Sequence, residues 1–396
     1  MTVATLTKGT TVGVLGAGTM GAGIAQVAAT AGHPVHLMDA SASAIERART
    51  DLRRLLDRQV AKNRLSTTDA DAIFGRVSFH AGTDPAPFAP AGIVIEAIIE
   101  QLEAKRQAFL RIEQVVSPAT LLATNTSSLS VTAVAGALVH PERVVGIHFF
   151  NPAPLMPLVE VVPGHRTSPT VTDAAAALVR RWDKTVVIAR DTPGFIVNRV
   201  ARPFYGEALR ILEEQIADAA TVDWAMREIG GFRMGPFELM DLIGNDVNFS
   251  VTRSVFEAFF GDPRYRPSIT QQRMVEAGLL GRKSGRGYFS HAADAPPPEP
   301  VRDTDLGRRI VDRILAMLIN EAADAVRLGI ATVEDIETAM TRGVNYPKGL
   351  LAWGDEIGWT VILDRLTALQ AEYGEDRYRP SPLVRRLAAE GGTLTR

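Results

Sequence analysis

Cysteine is absent from all 396 residues. That excludes disulfides, thiolate nucleophiles and thiolate-held metals together, so any chemistry must run on His, Glu, Asn, Ser or a bound cofactor. Long apolar runs are missing too. None approaches the ~18 residues that a membrane-spanning helix needs, and the opening MTVATLTKGT has no apolar stretch of the signal-peptide kind. A cytoplasmic protein without membrane contact is expected. Nor is there an excess of either charge: 43 Lys and Arg stand against 45 Asp and Glu, for a formal net charge of −2. That balance argues against nucleic acid as a partner. No His cluster shows metal-ligand spacing, so no metal is expected.

What is present is the composition of an ordinary globular protein, 46% hydrophobic and 22% charged, with length for two or three domains. Residues 11–15 form a short apolar run, GAGTMG follows at once, and AGIAQVAATAG reads as an Ala-rich helix ending at Gly32. This is strand, glycine turn, helix, with Gly16, Gly18 and Gly21 at the G-x-G-x-x-G positions. The first glycine serves the tight turn, the second lets the backbone approach a pyrophosphate, and the third allows close helix–strand packing. Thr19 and Met20 open the helix, whose N–H groups would face the phosphates. A second apolar run closes on Asp39, at about the ~20-residue distance where a carboxylate takes a ribose 2′-hydroxyl. Ala40 and Ser41 follow instead of a basic residue that could hold a 2′-phosphate, which favours NAD over NADP. The plainer alternative, Asp39 capping a helix from near Ala42, is compatible with that role.

The alternation continues. Helical regions at 43–64 and 68–76 precede a buried strand at 93–97, a helix at 101–116, and strands Leu121–Thr124 and Val144–Phe149. Such alternation predicts a mostly parallel, doubly wound sheet. Glu96, Glu100, Asn125, Ser127 and His148 then fall beyond carboxyl ends of strands, where ligands sit in these sheets. The most informative stretch is VGIHFFNPAPLMPLVEVV, two strand-like runs at 144–150 and 158–162 joined by a Pro-rich turn. Laid side by side, they bring His148 and Glu160 together as a carboxylate-oriented imidazole, a general base for a substrate hydroxyl. One His and one Glu taken alone are more often a core histidine beside a solvated glutamate. The motifs around them shift that balance.

DTPGFIVNR marks the exit from the first domain, with Asn198 in the first turns of a new helix. Past it the chain repeats itself. Glu207-Ala208 recurs as Glu321-Ala322, Ala225-Met226 as Ala339-Met340, Gly235 as Gly349, Asp241 as Asp355 and Ile243-Gly244 as Ile357-Gly358, all at one offset; RYRPS recurs one residue out of step. So many ordered matches predict a duplicated helical domain. The fold class expected is a Rossmann-type doubly wound α/β domain followed by two tandem all-α helical domains. The boundaries expected are 1–191, 192–290, a linker at 291–303, and 304–396. The second copy lacks counterparts of TPGFIVNR and GRKSGRGY, so no active site is expected there. The copies can pack on each other as subunits would, giving either a homodimer or a pseudo-dimeric monomer.

GAGTMGAGIAQVAATAGH, VIEAIIEQLEAK, ATNTSSLSVT, GIHFFNPAPLMPLVEVV, DTPGFIVNR, MGPFELMDLIG and GRKSGRGY, in this order, resemble the 3-hydroxyacyl-CoA dehydrogenase family across about residues 11–290. RVARPFYGEALRILEEQ, DLIGNDVNFSVTRSVFEAFF and the tandem domain look most like bacterial 3-hydroxyadipyl-CoA dehydrogenases of phenylacetate degradation, although the extra segment those proteins carry between the helical copies is missing. The resemblance implies NAD-dependent oxidation of an (S)-3-hydroxyacyl-CoA thioester to the 3-oxoacyl thioester. Hydroxyadipyl-CoA is the narrower expectation and 3-hydroxybutyryl-CoA the alternative. It implies His148 as base, Glu160 as its partner, Ser127 and Asn198 as the substrate-binding polar pair, and Asn151 on the substrate side. Asp39 matches the ribose ligand, and Glu100, Lys105, Asn125 and Lys283 match positions that contact NAD. Coenzyme A contacts are expected partly from the excursion holding Arg53, Arg54 and Lys62, and a terminal carboxylate could meet Arg202, Tyr205 or Arg233. A related dehydrogenase using a lysine on the interdomain helix fits poorly, because that helix opens with FIVN and its first basic residue is Arg199. A silent NAD-binding protein on the same fold is a more distant alternative, disfavoured because His148, Glu160, Ser127 and Asn198 all stand in place.

Overall fold

The structure, a computed structural model, describes residues 6–296 and 298–395. It divides into two compact units, Met1–Thr192 and Pro193–Arg396.

The first unit runs β1 (Thr11–Leu15), α1 (Thr19–Thr30), β2 (Val35–Asp39), α2 (Ala42–Ala61), α3 (Thr67–Gly75), β3 (Val77–Ala81), β4 (Ala91–Glu96), α4 (Leu102–Glu113), β5 (Leu121–Thr124), α5 (Val131–Ala135), β6 (Val144–Phe149), β7 (Leu158–Pro163), α6 (Pro169–Arg181) and β8 (Thr185–Ile188). Its eight strands form one sheet in the order β3-β2-β1-β4-β5-β6-β7-β8. Every pairing is parallel except β6 with β7. The expected doubly wound sheet is therefore present. Central strands β5 and β6 are buried at every residue, as unbroken apolar runs covered on both faces should be. The edge strand β3, VSFHA, is mostly uncovered. Helix α2 buries Ile45, Ala48, Leu52 and Leu56 at helical spacing and turns its charged residues to water. It stops short of the expected residue 64, because Asn63 adopts a left-handed backbone with φ +53°.

The second unit is helical: α7 (Val197–Val200), α8 (Arg202–Glu213), α9 (Ala219–Trp224), α10 (Pro236–Ile243), α11 (Asn245–Ala258), α12 (Ile269–Glu276), α13 (Thr304–Arg327), α14 (Val333–Gly343), α15 (Leu350–Ile357), α16 (Trp359–Tyr373) and α17 (Pro382–Glu390). Residues matched by the repeat do the same work twice. Gly244 and Gly358 hold φ of +104° and +94° where α11 and α16 begin. Asp223 accepts from Phe237 N and Glu238 N at the start of α10, and Glu337 accepts from Leu351 N and Ala352 N at the start of α15. Asp241 accepts from Tyr288 N and Phe289 N, while Asp355 accepts from Leu394 N and Thr395 N. This last pair amends the sequence expectation. The end of the chain is a backbone counterpart of the Tyr288–Phe289 segment, and what the second copy lacks is the loop bearing Lys283.

Contacts also cross between the copies in a reciprocal way. The Tyr265 hydroxyl donates to Glu321 at 2.6 Å and the Tyr378 hydroxyl to Glu207 at 2.9 Å, so each copy's RYRPS tyrosine serves the other copy's buried glutamate. Reciprocity of this kind is the mark of an isologous interface. Among the described residues no helix is long and apolar enough to cross a membrane.

Candidate active site

The glycine turn between β1 and α1 divides its labour among three positions. Gly16 has φ +104°, and a Cβ there would stand 2.5 Å from the Ala97 carbonyl oxygen just past β4; a Cβ on Gly21 would collide with the Gly16 carbonyl oxygen. Nothing lies within 4 Å of the position a Gly18 Cβ would take. Two glycines are thus demanded by the fold, and the middle one leaves space over the helix end. Gly18 is also the N-cap of α1, and no side chain caps that helix, so its first-turn N–H groups are presented to an anion.

Asp39 closes β2 beside this turn. Its Oδ2 accepts from Ala17 N and its Oδ1 from Ser41 N, both at 2.8 Å, which fixes the carboxylate over the glycine loop. The helix cap is Ser41, whose Oγ accepts from Ala44 N; Asp39 is not the cap. A cleft of about 660 Å³ runs past Gly16, Gly18, Thr19, Met20 and Asp39. It also takes in Thr83, Ile98, Gln107 and Arg111, which the sequence did not single out. Ala104, Gln107, Ala108 and Arg111 share one face of α4 by their spacing, a legible signal once β1 and β4 are known to be neighbours. Open space at Gly18, an uncapped helix end and a fixed carboxylate fit the pyrophosphate and ribose of a dinucleotide.

Beyond β4 lies a buried relay. Lys105, 1% exposed, places Nζ 2.6 Å from Glu96 and 3.2 Å from Glu100. The resemblance set Lys105 against NAD; here its ammonium is engaged by the two glutamates, of which Glu100 is 37% exposed. Burial pushes the Glu100 carboxyl up, but the Lys105 charge with hydrogen bonds from Thr126 and Ser127 outweighs it, so the group stays below the ordinary carboxylate range. Glu96, almost fully buried, is held above it despite Lys105. Glu100 Oε1 accepts from Thr126 Oγ1 at 2.6 Å and from Ser127 N at 2.9 Å, pinning the loop after β5 on which Ser127 stands half-buried. Asn125 Oδ1 accepts from Phe149 N at 2.9 Å and ties that loop to the end of β6.

His148 and Glu160 meet as expected. The antiparallel register sets them directly opposite across β6 and β7, so both side chains leave one face of the sheet. His148 Nδ1 lies 2.7 Å from Glu160 Oε2, with the side chains 6% and 0% exposed. With Glu160 ionised, Nδ1 is the donor in this contact. The Phe150 ring packs 4.6 Å from the imidazole centroid.

The remaining candidates are placed as follows. Asn151 is exposed in the turn after β6. Asn198 belongs to the second unit, on α7. Lys283, also in that unit, is half-exposed and 2.5 Å from Asp246. Arg53 pairs with Asp57 and Asp71, and Arg54 with Asp51. Arg53 and Arg54 line an open cleft of about 710 Å³ with Arg49 and Arg58, and Lys62 is not part of its wall. Arg233 is exposed, whereas Arg202 and Tyr205 are buried together.

The family model for the 3-hydroxyacyl-CoA dehydrogenase NAD binding domain matches residues 11–192, and that for the C-terminal domain matches 194–291 and 310–395. The chain belongs to the 3-hydroxyacyl-CoA dehydrogenase family. It is thus an enzyme of the NAD-binding dehydrogenase class. It is similar to the 3-hydroxyadipyl-CoA dehydrogenase of Escherichia coli K12, 41% identical, with 96% of this chain and 97% of that one covered. The alignment runs over 463 positions, more than the 396 residues here, so that dehydrogenase carries sequence with no counterpart in this chain. A probable 3-hydroxybutyryl-CoA dehydrogenase of Bacillus subtilis is 39% identical over 70% of this chain and 96% of its own. Among solved structures, a 3-hydroxybutyryl-CoA dehydrogenase from Escherichia coli K12 is similar with TM-score 0.91 and 40% identity, covering 96% of this chain and 98% of that one.

Proposed function

We propose that the chain oxidises the C3 hydroxyl of an (S)-3-hydroxyacyl-CoA thioester to the ketone, and that the buried His148–Glu160 pair is its catalytic base. The buried imidazole, with Nδ1 held 2.7 Å from a fully buried glutamate, carries this reading. When bound, NAD supplies the hydride acceptor. His148 Nε2 takes the hydroxyl proton, and Glu160 stabilises the imidazolium through the hydrogen bond it already makes, as an orienting carboxylate does in other dyads. Ser127, on the loop fixed by Glu100, and Asn198 position the substrate oxygens. Gly16, Gly18, Thr19, Met20, Gly21 and Asp39 hold the dinucleotide, with Glu100 and Asn125 ordering its nicotinamide side; Lys283 is a further cofactor contact by the family match. The arginine face of α2 suits the phosphates of coenzyme A, since Arg49, Arg53, Arg54 and Arg58 stand along one cleft.

Two readings of the acyl group follow from the comparisons. The 41% identical relative spanning nearly the whole chain supports a dicarboxylic substrate of the hydroxyadipyl kind. The shorter relatives and the solved structure support hydroxybutyryl. Turnover of purified protein with each thioester, followed by the absorbance of reduced NAD, separates them.

Two variants test the roles. Asp39→Ala removes a charged hydrogen-bonding group from the ribose and should weaken NAD about 10- to 100-fold, read by titration of cofactor binding, with kcat at saturating NAD preserved. Unchanged affinity would remove Asp39 from the cofactor site. Glu160→Gln keeps the shape but loses the charge beside the imidazole. It should lower kcat on the order of 10²-fold, less than loss of the base itself, with NAD affinity retained. A fully active Glu160→Gln would leave the carboxylate a structural role only.

A further inference from the structure

Arg202 opens α8 and is 7% exposed. Other buried arginines of the same unit each hold a carboxylate: Arg199 and Arg264 pair with Glu321 at 2.6 and 3.1 Å, and Arg313 and Arg210 with Glu207 at 2.9 and 3.2 Å. Among the described residues no Asp or Glu forms an ion pair with Arg202. Its Nη1 donates to Thr252 Oγ1 at 3.2 Å, and its buried Nε has no acceptor. The guanidinium stands 4.9 Å from the centre of the Tyr205 ring, and the buried Tyr346 hydroxyl nearby also lacks a hydrogen-bond partner. Phe204 and Phe232 pack against Tyr346, with ring centres 5.6 and 5.0 Å away. Burial draws the Arg202 guanidinium down from its ordinary range and pushes the Tyr205 and Tyr346 hydroxyls up.

A buried cation without a counter-charge is costly, and chains seldom retain one that no ligand completes. The orphaned groups are the guanidinium Nε–H and a phenol hydroxyl, among aromatic rings. Their chemical complement is a carboxylate at the end of an apolar chain, since a guanidinium fork matches its two oxygens. Arg202 follows Asn198, proposed above to hold the substrate, by four residues, about one helical turn. We infer that Arg202, with Tyr346 beside it, recognises the distal carboxylate of a dicarboxylic 3-hydroxyacyl thioester and so sets the acyl preference of the enzyme. This rests on the dehydrogenase reading above. The exposed Arg233 has no part in it.

The test compares kcat/KM for 3-hydroxyadipyl-CoA with that for 3-hydroxyhexanoyl-CoA, equal in carbon number and without the second charge. Wild type should favour the carboxylated thioester. Arg202→Met should reduce that ratio roughly 10- to 100-fold, mainly through KM, and Tyr346→Phe should reduce it by a smaller factor. Since an unpaired buried charge is being replaced by an apolar chain of similar length, Arg202→Met should unfold no earlier than wild type. An unchanged ratio, or equal loss on both thioesters, would overturn the inference and leave Arg202 a packing residue. Should Arg202→Met fail to fold, Tyr346→Phe, which removes one hydroxyl, decides by the same ratio. A wild type that prefers the neutral thioester would overturn the inference while the dehydrogenase reading stood; oxidation of neither thioester would overturn both.

Discussion

His148→Ala is expected to lower kcat by roughly 10²- to 10⁴-fold while NAD binding is retained. The separation follows from where the groups sit. His148 belongs to β6 and is bonded to Glu160 of β7, whereas the glycine turn and Asp39 belong to β1, α1 and β2 on the other side of the sheet order. The base can be removed without disturbing the cofactor cradle. What is lost is the acceptor for the hydroxyl proton, and bulk water replaces it poorly in a site where the imidazole is 6% exposed. Steady-state rates with a 3-hydroxyacyl-CoA thioester, alongside a direct titration of NAD, check this. Loss of NAD binding equal to the loss of rate would mean that the histidine serves the fold instead of the proton.

The second large effect concerns stability. Glu321, fully buried on α13, receives Arg199 Nε at 2.6 Å, Arg264 Nη1 at 3.1 Å and the Tyr265 hydroxyl at 2.6 Å. Glu321→Ala strands two buried guanidinium groups, leaving Asp324 to share them, and removing one member of such a network typically costs about 3–5 kcal/mol. For a unit of this size the unfolding midpoint should fall on the order of 10 °C. Glu207→Ala should act comparably, since Arg313, Arg210 and the Tyr378 hydroxyl converge on that residue. If the two helical copies act as a dimer built into one chain, these midpoints should not vary with protein concentration, whereas a homodimer would make them do so. A midpoint that rises with concentration would point to contacts between chains, and a shift of a degree or less would show that the network is not what joins the copies.

Much of this could be read from residues alone, and the reason is local. β1, β5 and β6 begin and end where the apolar runs do, because central parallel strands are buried on both faces and leave unbroken apolar words in the sequence. β3 and β8 are harder to read: VSFHA alternates and TVVI is a β-branched run, but each is very short and partly uncovered, so the signal is weak. The His148–Glu160 pair was legible because one turn joins adjacent strands and the period of two sets the register. Lys105 shows the limit. Its place between Glu96 and Glu100 depends on how α4 packs beside β4, which no spacing records. The repeat was plain as a repeat, yet the crossing of Tyr265 to Glu321 and Tyr378 to Glu207 was not, since the same strings would serve copies that stayed apart. Nor could the sequence distinguish Arg202, bereft of a carboxylate, from Arg199, which holds one.

The most direct test of the central claim is NAD reduction by the purified full-length protein given (S)- and (R)-3-hydroxyacyl-CoA thioesters, hydroxybutyryl and hydroxyadipyl among them. Reduction with the (S) thioesters, absent with the (R) forms and lost in His148→Ala, is the expected result. Binding of NAD with no reduction by any of these thioesters would contradict it, and would mean that the chain keeps the cradle and the dyad without the reaction.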